Sequence, residues 1–388
     1  MSAEVLVIGG GPVGLTIALL LARHGLRVEV VEKRTEVAKE PSAVALDDEC
    51  LRIWQGCGLT DLLCEDYAGG NEGQCVCTYL DQRGRPFLRV HQRTSDLGHP
   101  VAVTIHQGRI EEKLLGAVQQ QPSIRVHRGT MVVRAVQDEH RVRIDCVNAD
   151  GTVQHLHAPW LIACDGANSF IRRHLGIPME GIELPHPWLI ANLVDHGDPG
   201  HVMIRCRTEG AAVTMPIPHG LRRVEVRLDK DDDASWLHDE SEVRRRLSTG
   251  WHGAMDAPIV CLAHRRFSAA TATRWRDRRI FLAGDAAHVM PPFAGQGLAA
   301  GLRDAANLSF KIAGVSQGWL APTTLDSYEQ ERRPHLERIT RLARRLGRLM
   351  SPSSTPSSVA GKAAVGDAES AKSVSRSNSS KASKASGA

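Results

Sequence analysis

The chain opens on a short apolar run, Glu4 to Ile8, rich in β-branched residues, and this predicts a buried parallel strand. Val13, Ile17, Leu20 and Leu21 then recur at helical spacing. A second run from Arg27 to Val31 predicts another strand. The same kind of short apolar run returns at Pro159 to Ala163 and at Arg279 to Ala283. Between these, Trp188 to Val194, Val202 to Arg207, Ala211 to Pro216 and Arg223 to Leu228 read as strands. Arg125 to Val153 alternates, as in Val142-x-Ile144-x-Cys146, and predicts a β-meander. Toward the C-terminus Leu336, Ile339, Leu342, Ala343, Leu346 and Leu349 fall on one face of a helix. Seven arginines and two glutamates lie between Glu331 and Arg348, so this helix is amphipathic and basic. It reads first as a solvated helix packed on the main domain. A membrane-surface or nucleic-acid role is the second reading.

Three separated motifs sit where strands end. Gly9-Gly10-Gly11-Pro12-Val13-Gly14 follows the first strand, and Glu32 closes the second. Strand, glycine turn, helix, strand and acid in this order form a dinucleotide-binding fingerprint. Gly9 permits the tight turn, Gly11 lets backbone approach a pyrophosphate, and Gly14 lets the helix pack close to the strand. The helix N-terminus offers N–H groups to phosphate, and Glu32 accepts from a ribose hydroxyl pair. The fingerprint alone does not separate FAD from NAD. Cys164-Asp165-Gly166-Ala167-Asn168-Ser169 follows the third strand, with Arg172 and Arg173 on the helix after it. An Asp-Gly pair there also reads as a plain turn. Gly284-Asp285-Ala286-Ala287-His288 follows the fourth, and Pro291-Pro292-Phe293-Ala294-Gly295-Gln296-Gly297 leads into another helix. Asp285 suits a ribose or ribityl hydroxyl. The N–H groups near Gly295 to Leu298 suit the pyrimidine side of an isoalloxazine. His288 reads first as a packed histidine holding the loop, and second as a catalytic group. The later motifs select FAD, bound along its full length.

These residues resemble the class A flavoprotein aromatic hydroxylases, the family of para-hydroxybenzoate hydroxylase and phenol hydroxylase. The resemblance runs from Ala3 to about Met350 and is most similar to the 3-(3-hydroxyphenyl)propionate hydroxylase and polyketide hydroxylase branch. It is strongest at Phe281 to His335, including Gly301-Leu302-Arg303-Asp304-Ala305-Ala306-Asn307-Leu308 and Tyr328-Glu329-x-Glu331-Arg332-Arg333-Pro334. It is also clear at Ala45-Leu46-Asp47-Asp48-Glu49 and His106-Gln107-x-x-Ile110-Glu111. The resemblance implies a Rossmann-like α/β FAD-binding domain of the GR2 type with an inserted β-sheet substrate domain. It implies that Asp165 contacts the pyrophosphate and is associated with NAD(P)H handling. It implies that Asp285 holds the ribityl chain, and that Gln107 and Arg109 lie at further flavin contacts, with Gln107 the better match. The expected cofactor-binding set is Gly9, Gly11, Pro12, Val13, Gly14, Glu32, Lys33, Gln107, Asp165, Gly284, Asp285, Pro292, Gly295, Gln296, Gly297 and Leu298.

Two departures stand out. The family usually has arginine in the loop that here reads Pro41-Ser42-Ala43, and serine cannot replace a guanidinium fork. Lys33 or Arg34 could compensate. Many members of the branch continue into a thioredoxin-like domain; this chain runs instead into a Ser/Ala/Lys tail, and that domain is expected to be absent. The tail is expected to be disordered.

The expected reaction is hydroxylation of a phenolic or other aromatic substrate with NADH or NADPH and O2 through a flavin C4a-hydroperoxide. The protein's part is position, electrostatics and exclusion of water. Pro292, in the Pro291-Pro292-Phe293 loop, is a candidate wall beside the flavin. A base or acceptor for the phenol is expected, and His219 is the candidate, against its reading as an exposed turn histidine before Gly220. Other readings are a flavin-dependent reductase, a Baeyer–Villiger-type oxygenase or a non-catalytic flavin-binding redox protein.

Composition changes this picture little. The 388 residues, 42% hydrophobic, allow one large or two medium domains. Aromatics are only 4%, which is low for a protein that binds an aromatic ring, but a pocket needs few of them. Nine cysteines show no zinc spacing, so no metal site is expected, and no run suits a membrane span. With no signal peptide, a cytoplasmic location is expected, without nucleic acid as a partner; a homodimer is compatible with the sequence. The expected boundaries are 1–66, 101–178 and 276–350 for a discontinuous FAD-binding domain, 67–100 and 179–275 for the substrate domain, and 351–388 for the tail.

Overall fold

The computed structural model describes residues 2–38, 40, 42–68, 75–93, 95–195, 197, 200–208 and 210–351. Most of the tail expected to be disordered lies outside the described residues.

Val5–Ile8 (β1) is fully buried and pairs in parallel on both sides, with Trp160–Ala163 and with Val28–Glu32 (β2). Central strands of parallel sheets carry side chains into protein on both faces, which is why β1 is apolar throughout rather than alternating. Ile280–Leu282 and Ile124–Arg128 extend the parallel sheet on either side, and Arg276–Asp277 closes one edge antiparallel. Pro12–Arg23 (α1) starts with Pro12 in its first turn, where a missing N–H costs nothing. It packs on the long helix Gly297–Ser316. The approach is close: a Cβ on Gly301 would collide with Val13, and one on Gly14 would overlap the Gly9 carbonyl oxygen.

The meander differs from its sequence reading. Ile124–Arg128 is not its first strand but the edge of the parallel sheet beside β2. The chain then turns at Gly129, where φ is 65°, and the three-stranded meander runs Thr130–Gln137, Val142–Asn148 and Val153–Ala158. The alternation of these segments is continuous across Gly129, so periodicity alone did not separate the two sheets.

A second, seven-stranded sheet is ordered Ile259–Arg265, Trp188–Val194, Leu221–Arg227, Ala212–Ile217, Val202–Arg205, Cys75–Leu80 and Pro86–His91. One face packs Leu189, Ala191, Val224 and Val226 onto the helix Glu240–Ser248. The other carries Trp188, Ile190, Val213, Met215 and Ile217, with Val44, Phe293 and Leu349 packed against it. That second face looks toward the motif-bearing loops of the first sheet.

Gly14→Ala is expected to lower stability by about 1–3 kcal/mol, the usual cost of forced overpacking. Thermal denaturation checks it. An unchanged melting temperature would mean that α1 can slide off β1 freely.

Candidate functional site

The three motifs follow adjacent parallel strands of one sheet. Gly9 follows β1, Asp165 follows Trp160–Ala163, and Asp285 follows Ile280–Leu282. The turns touch. Gly9 has φ 106°, and a Cβ there would overlap the Cys164 carbonyl; a Cβ on Gly284, φ 58°, would come within 3.3 Å of Val13. The carboxyl ends of parallel strands are where open α/β sheets bind ligands.

Several features leave room and partners for a phosphate-bearing group. A Cβ on Gly11 would meet nothing within 4 Å, so the turn faces open space. Neither α1 nor the helix Gly297–Ser316 has a side-chain cap at its N-terminus. Their first N–H groups therefore suit an anion or a carbonyl-rich ring edge. Asp165 accepts from the Ile171 N–H at 3.1 Å through one oxygen, while its other oxygen is buried without a partner among the described residues. Burial raises its pKa. Asp285 is exposed, yet enough protein surrounds it that its pKa is also raised by burial. A carboxyl that is both exposed and partly desolvated lies in a crevice. These features fit FAD: open glycine backbone and uncapped N-termini for pyrophosphate and pyrimidine, and two carboxyls with acceptor capacity for hydroxyls.

Glu32 does more than await a ribose. Its Oε2 accepts from the Gly10 N–H at 2.7 Å and its Oε1 from the Arg34 N–H at 2.8 Å. It thereby fixes the glycine turn, with lone pairs left over for a further donor. Lys33 is exposed. Pro12 and Val13 start α1, and Val13 packs between Gly284 and Gly301.

The loop before the long helix is held by side chains the sequence reading did not connect. Arg303 donates to Asp47 at 2.5 Å, to Glu49 at 2.5 Å and to Gln296 Oε1 at 3.0 Å. Gln296 Nε2 donates to Asp47 at 3.1 Å. The Gln296 side chain is thus committed to the loop, and its backbone, with Gly297 and Leu298, remains to face a ligand. Gly295 has φ 62°. Pro292 is half-buried in a short 3-10 turn with Phe293. The Phe293 ring lies 5.9 Å from Trp188 and rests on Gly347, where any Cβ would overlap it. Arg172 joins the second and third motifs by donating to the Ala286 carbonyl at 3.0 Å and the Ala167 carbonyl at 2.9 Å.

His288 is a packed histidine. It is 1% exposed, its Nε2 donates to Asp304 at 2.6 Å, and its Nδ1 is buried without a partner among the described residues. Asp304 also accepts from Arg332 at 2.9 Å and from the Gly284 N–H at 3.1 Å.

Gln107 accepts from the Ala43 N–H at 2.8 Å, and the Ser42 carbonyl accepts from buried Arg223 of the seven-stranded sheet. A guanidinium therefore meets the loop from across the cleft, although neither Lys33 nor Arg34 was its source. Ser42, Gln107, Arg109 and Arg223 line a cavity of about 650 Å³. His219 sits in the hairpin between Ala212–Ile217 and Leu221–Arg227, with φ 68°. Its Nε2 lies 2.6 Å from Asp66, which also binds Arg109 at 2.9 Å and Lys113 at 2.5 Å. Burial opposes ionisation of Asp66, but hydrogen bonds from Lys113, His219 and Arg109 outweigh it and hold the carboxyl at about 2. This cluster ties the hairpin to the helix Gln107–Gln119.

The described residues contain no cluster of side chains able to hold a metal ion, and no helix long and apolar enough to cross a membrane.

Comparison with known proteins places the chain in a family. The FAD binding domain model matches residues 2–343. A 3-(3-hydroxy-phenyl)propionate/3-hydroxycinnamic acid hydroxylase of Burkholderia vietnamiensis is 33% identical over 91% of the chain and 57% of its own length. The corresponding hydroxylase of Escherichia coli is 32% identical over 90% of the chain and 63% of its own length. The chain thus spans about three-fifths of these relatives. Among solved structures, p-nitrophenol 4-monooxygenase of Pseudomonas putida superposes with a TM-score of 0.80 at 24% identity, over 96% of this chain and 92% of that one, a likeness of fold. Aklavinone-11 hydroxylase, in complex with FAD and aklavinone, gives 0.77 at 25% identity, over 93% and 72%.

Asp66→Asn is expected to cost about 2 kcal/mol at pH 6, below the range for a broken buried pair because Arg109 and His219 reach solvent. The lowered pKa stabilises the fold above the ordinary Asp value, and this is lost as pH falls through about 2. The penalty should therefore shrink between pH 6 and pH 2.5 in urea denaturation. An equal penalty at both would rule out the ion cluster as its origin.

Proposed function

Because this chain belongs to the FAD-binding-domain family, we propose that it is an FAD-dependent monooxygenase that hydroxylates a phenolic or other aromatic substrate with NAD(P)H and O2. The observation that carries the reading is the meeting of three ligand-ready turns at adjacent strand ends, opposite an apolar sheet face. Gly9, Gly11 and the α1 N-terminus would hold the pyrophosphate, with Asp165 beside it. Glu32 would take the adenosine ribose and Asp285 the ribityl chain. Gly295, the Gln296 backbone, Gly297 and Leu298 would face the pyrimidine, and Gln107 and Arg109 would complete the site. We assign residues 1–66, 101–178 and 276–350 to this domain, and 67–100 with 179–275 to substrate.

Bound FAD would accept two electrons from NAD(P)H and, once reduced, activate O2 so that one oxygen enters the ring and the other leaves as water. The chain's own residues do the rest. N–H groups at the two helix N-termini stabilise negative charge on phosphate and on a reduced ring. Phe293, Trp188 and the apolar face beside them exclude water from the reacting centre. Asp304 and Arg303 hold the two loops that carry these groups. The free thiols of Cys50, Cys57, Cys146, Cys164, Cys206 and Cys261 support a reducing cytosol as the compartment.

The test is NAD(P)H oxidation by the flavin-loaded protein across a panel of phenol, 4-nitrophenol and 3-(3-hydroxyphenyl)propionate, with hydroxylated product and peroxide quantified. Stimulated oxidation matched by hydroxylated product is expected. Oxidation that yields only peroxide, or none that a phenol stimulates, would reject the hydroxylase reading. Asp285→Ala is expected to purify with less than about a tenth of wild-type FAD, since a bond to a charged acceptor is worth about 1.5–3 kcal/mol. Full occupancy in the absorbance spectrum would remove Asp285 from the ribityl contact.

A further inference from the structure

The strand Leu221–Arg227 alternates strictly. Arg222, Val224 and Val226 face the helix-covered side, where Arg222 stacks on Trp251 at 5.3 Å. Arg223, Glu225 and Arg227 face the other side. Register puts Glu225 directly between Ile190 and Val213, both members of the apolar cluster that Trp188, Met215 and Phe293 share. A single carboxylate thus stands in the middle of an apolar wall.

Its bonding is incomplete. The Glu225 side chain is 12% exposed and accepts no hydrogen bond among the described residues; Arg223, at 3.8 Å, forms an ion pair with it without a hydrogen bond. Arg223 spends its N–H groups elsewhere, on Asn192 at 2.9 Å and on the Ser42 carbonyl. The guanidinium therefore supplies charge without a hydrogen bond, and leaves the carboxylate's lone pairs unused. Burial pushes the Glu225 pKa up, and Arg223 pulls it down. The carboxylate is half-buried on the open face, so its unused lone pairs can accept from a donor that enters there. The cavity of about 650 Å³ opens one row along the same face, at Arg223, Asn192 and Cys261.

We propose that Glu225, with Arg223 beside it, is the anchor for the ring hydroxyl of the aromatic substrate, accepting a hydrogen bond from that O–H. This rests on the hydroxylase reading above. A neutral ring with one O–H matches an apolar wall with one acceptor. A substrate carboxylate does not belong at this position, because it would meet Glu225 charge to charge. Withdrawing the hydroxyl proton toward Glu225 raises electron density on the ring carbons ortho and para to it, the positions an electrophilic oxygen attacks. His219, already bound to Asp66, is released from this role.

The test compares phenol, 4-nitrophenol and 3-(3-hydroxyphenyl)propionate with their methyl ethers, which keep the ring and lose the donor. Binding is read from perturbation of the flavin absorbance of the oxidised holoenzyme, without turnover. Wild type is expected to prefer the phenol. Glu225→Leu should weaken the phenol by about 10-fold or more and leave the ether within about 2-fold, with FAD content unchanged. Glu225→Gln, which keeps the volume and a neutral acceptor, should fall between and serves if the leucine variant does not fold. Equal weakening of phenol and ether would mean that Glu225 only packs. Loss of FAD in Glu225→Gln would mean that it serves the cofactor, and overturns the proposal. If both variants keep the phenol preference, the Glu225 assignment fails alone. If no phenol perturbs the wild-type flavin, the hydroxylase reading fails and takes this assignment with it.

Discussion

The buried carboxylate of Asp304 is the contact on which the site depends. It sits on the long helix Gly297–Ser316, is fully buried, and collects three donors from separate parts of the chain: the Gly284 N–H, His288 and Arg332. Burial alone would raise its pKa, but His288 and Arg332 lower it and keep it ionised. The helix whose N-terminus faces the site, the turn that presents Asp285 and the C-terminal helix Ser327–Met350 are therefore held in one register. A charge so enclosed is tolerable only with every partner in place, so the three elements are fixed together or not at all.

Arg303, one residue earlier, works on the other side of the same helix. It gathers Asp47, Glu49 and Gln296 and so fixes the helix start against the helix Asp48–Gly56. Two neighbouring residues thus clamp both loops that frame the cleft. Arg303, Asp304 and Asp47 of this clamp are largely enclosed by protein, whereas the Gly11 turn and the Asp285 carboxyl are open to the cleft. Rigid support and open binding surface are supplied by different residues.

Local order was legible in the chain. The strand, glycine turn and helix at Val5 to Arg23 need only neighbouring residues to specify them, and they form where periodicity placed them. The packed role of His288 was also readable, because a histidine between apolar strand ends has few alternatives. Pairings across long separations were not. Asp304, His288 and Arg332 all lay within motifs that resemblance marked, yet nothing in their spacing joins them. Arg223 reaching the Ser42 carbonyl spans 181 residues. Glu225 was hidden for another reason. Its face is decided by strand register, and a shift of one residue would have turned it to the helix-covered side. The split between Ile124–Arg128 and the meander failed on the same ground, since one glycine with positive φ changed the sheet without breaking the alternation.

The seat of Phe293 on Gly347 couples the cleft to the end of the chain's last described helix. The same helix end buries Met350 in the apolar cluster, and its carbonyl accepts from the Arg207 N–H at 3.1 Å. Residues 347–350 are therefore masonry of the chamber as much as an exit from the fold. A displacement of residues 347–350 would therefore reach the aromatic ring beside the cofactor cleft and the seven-stranded sheet together.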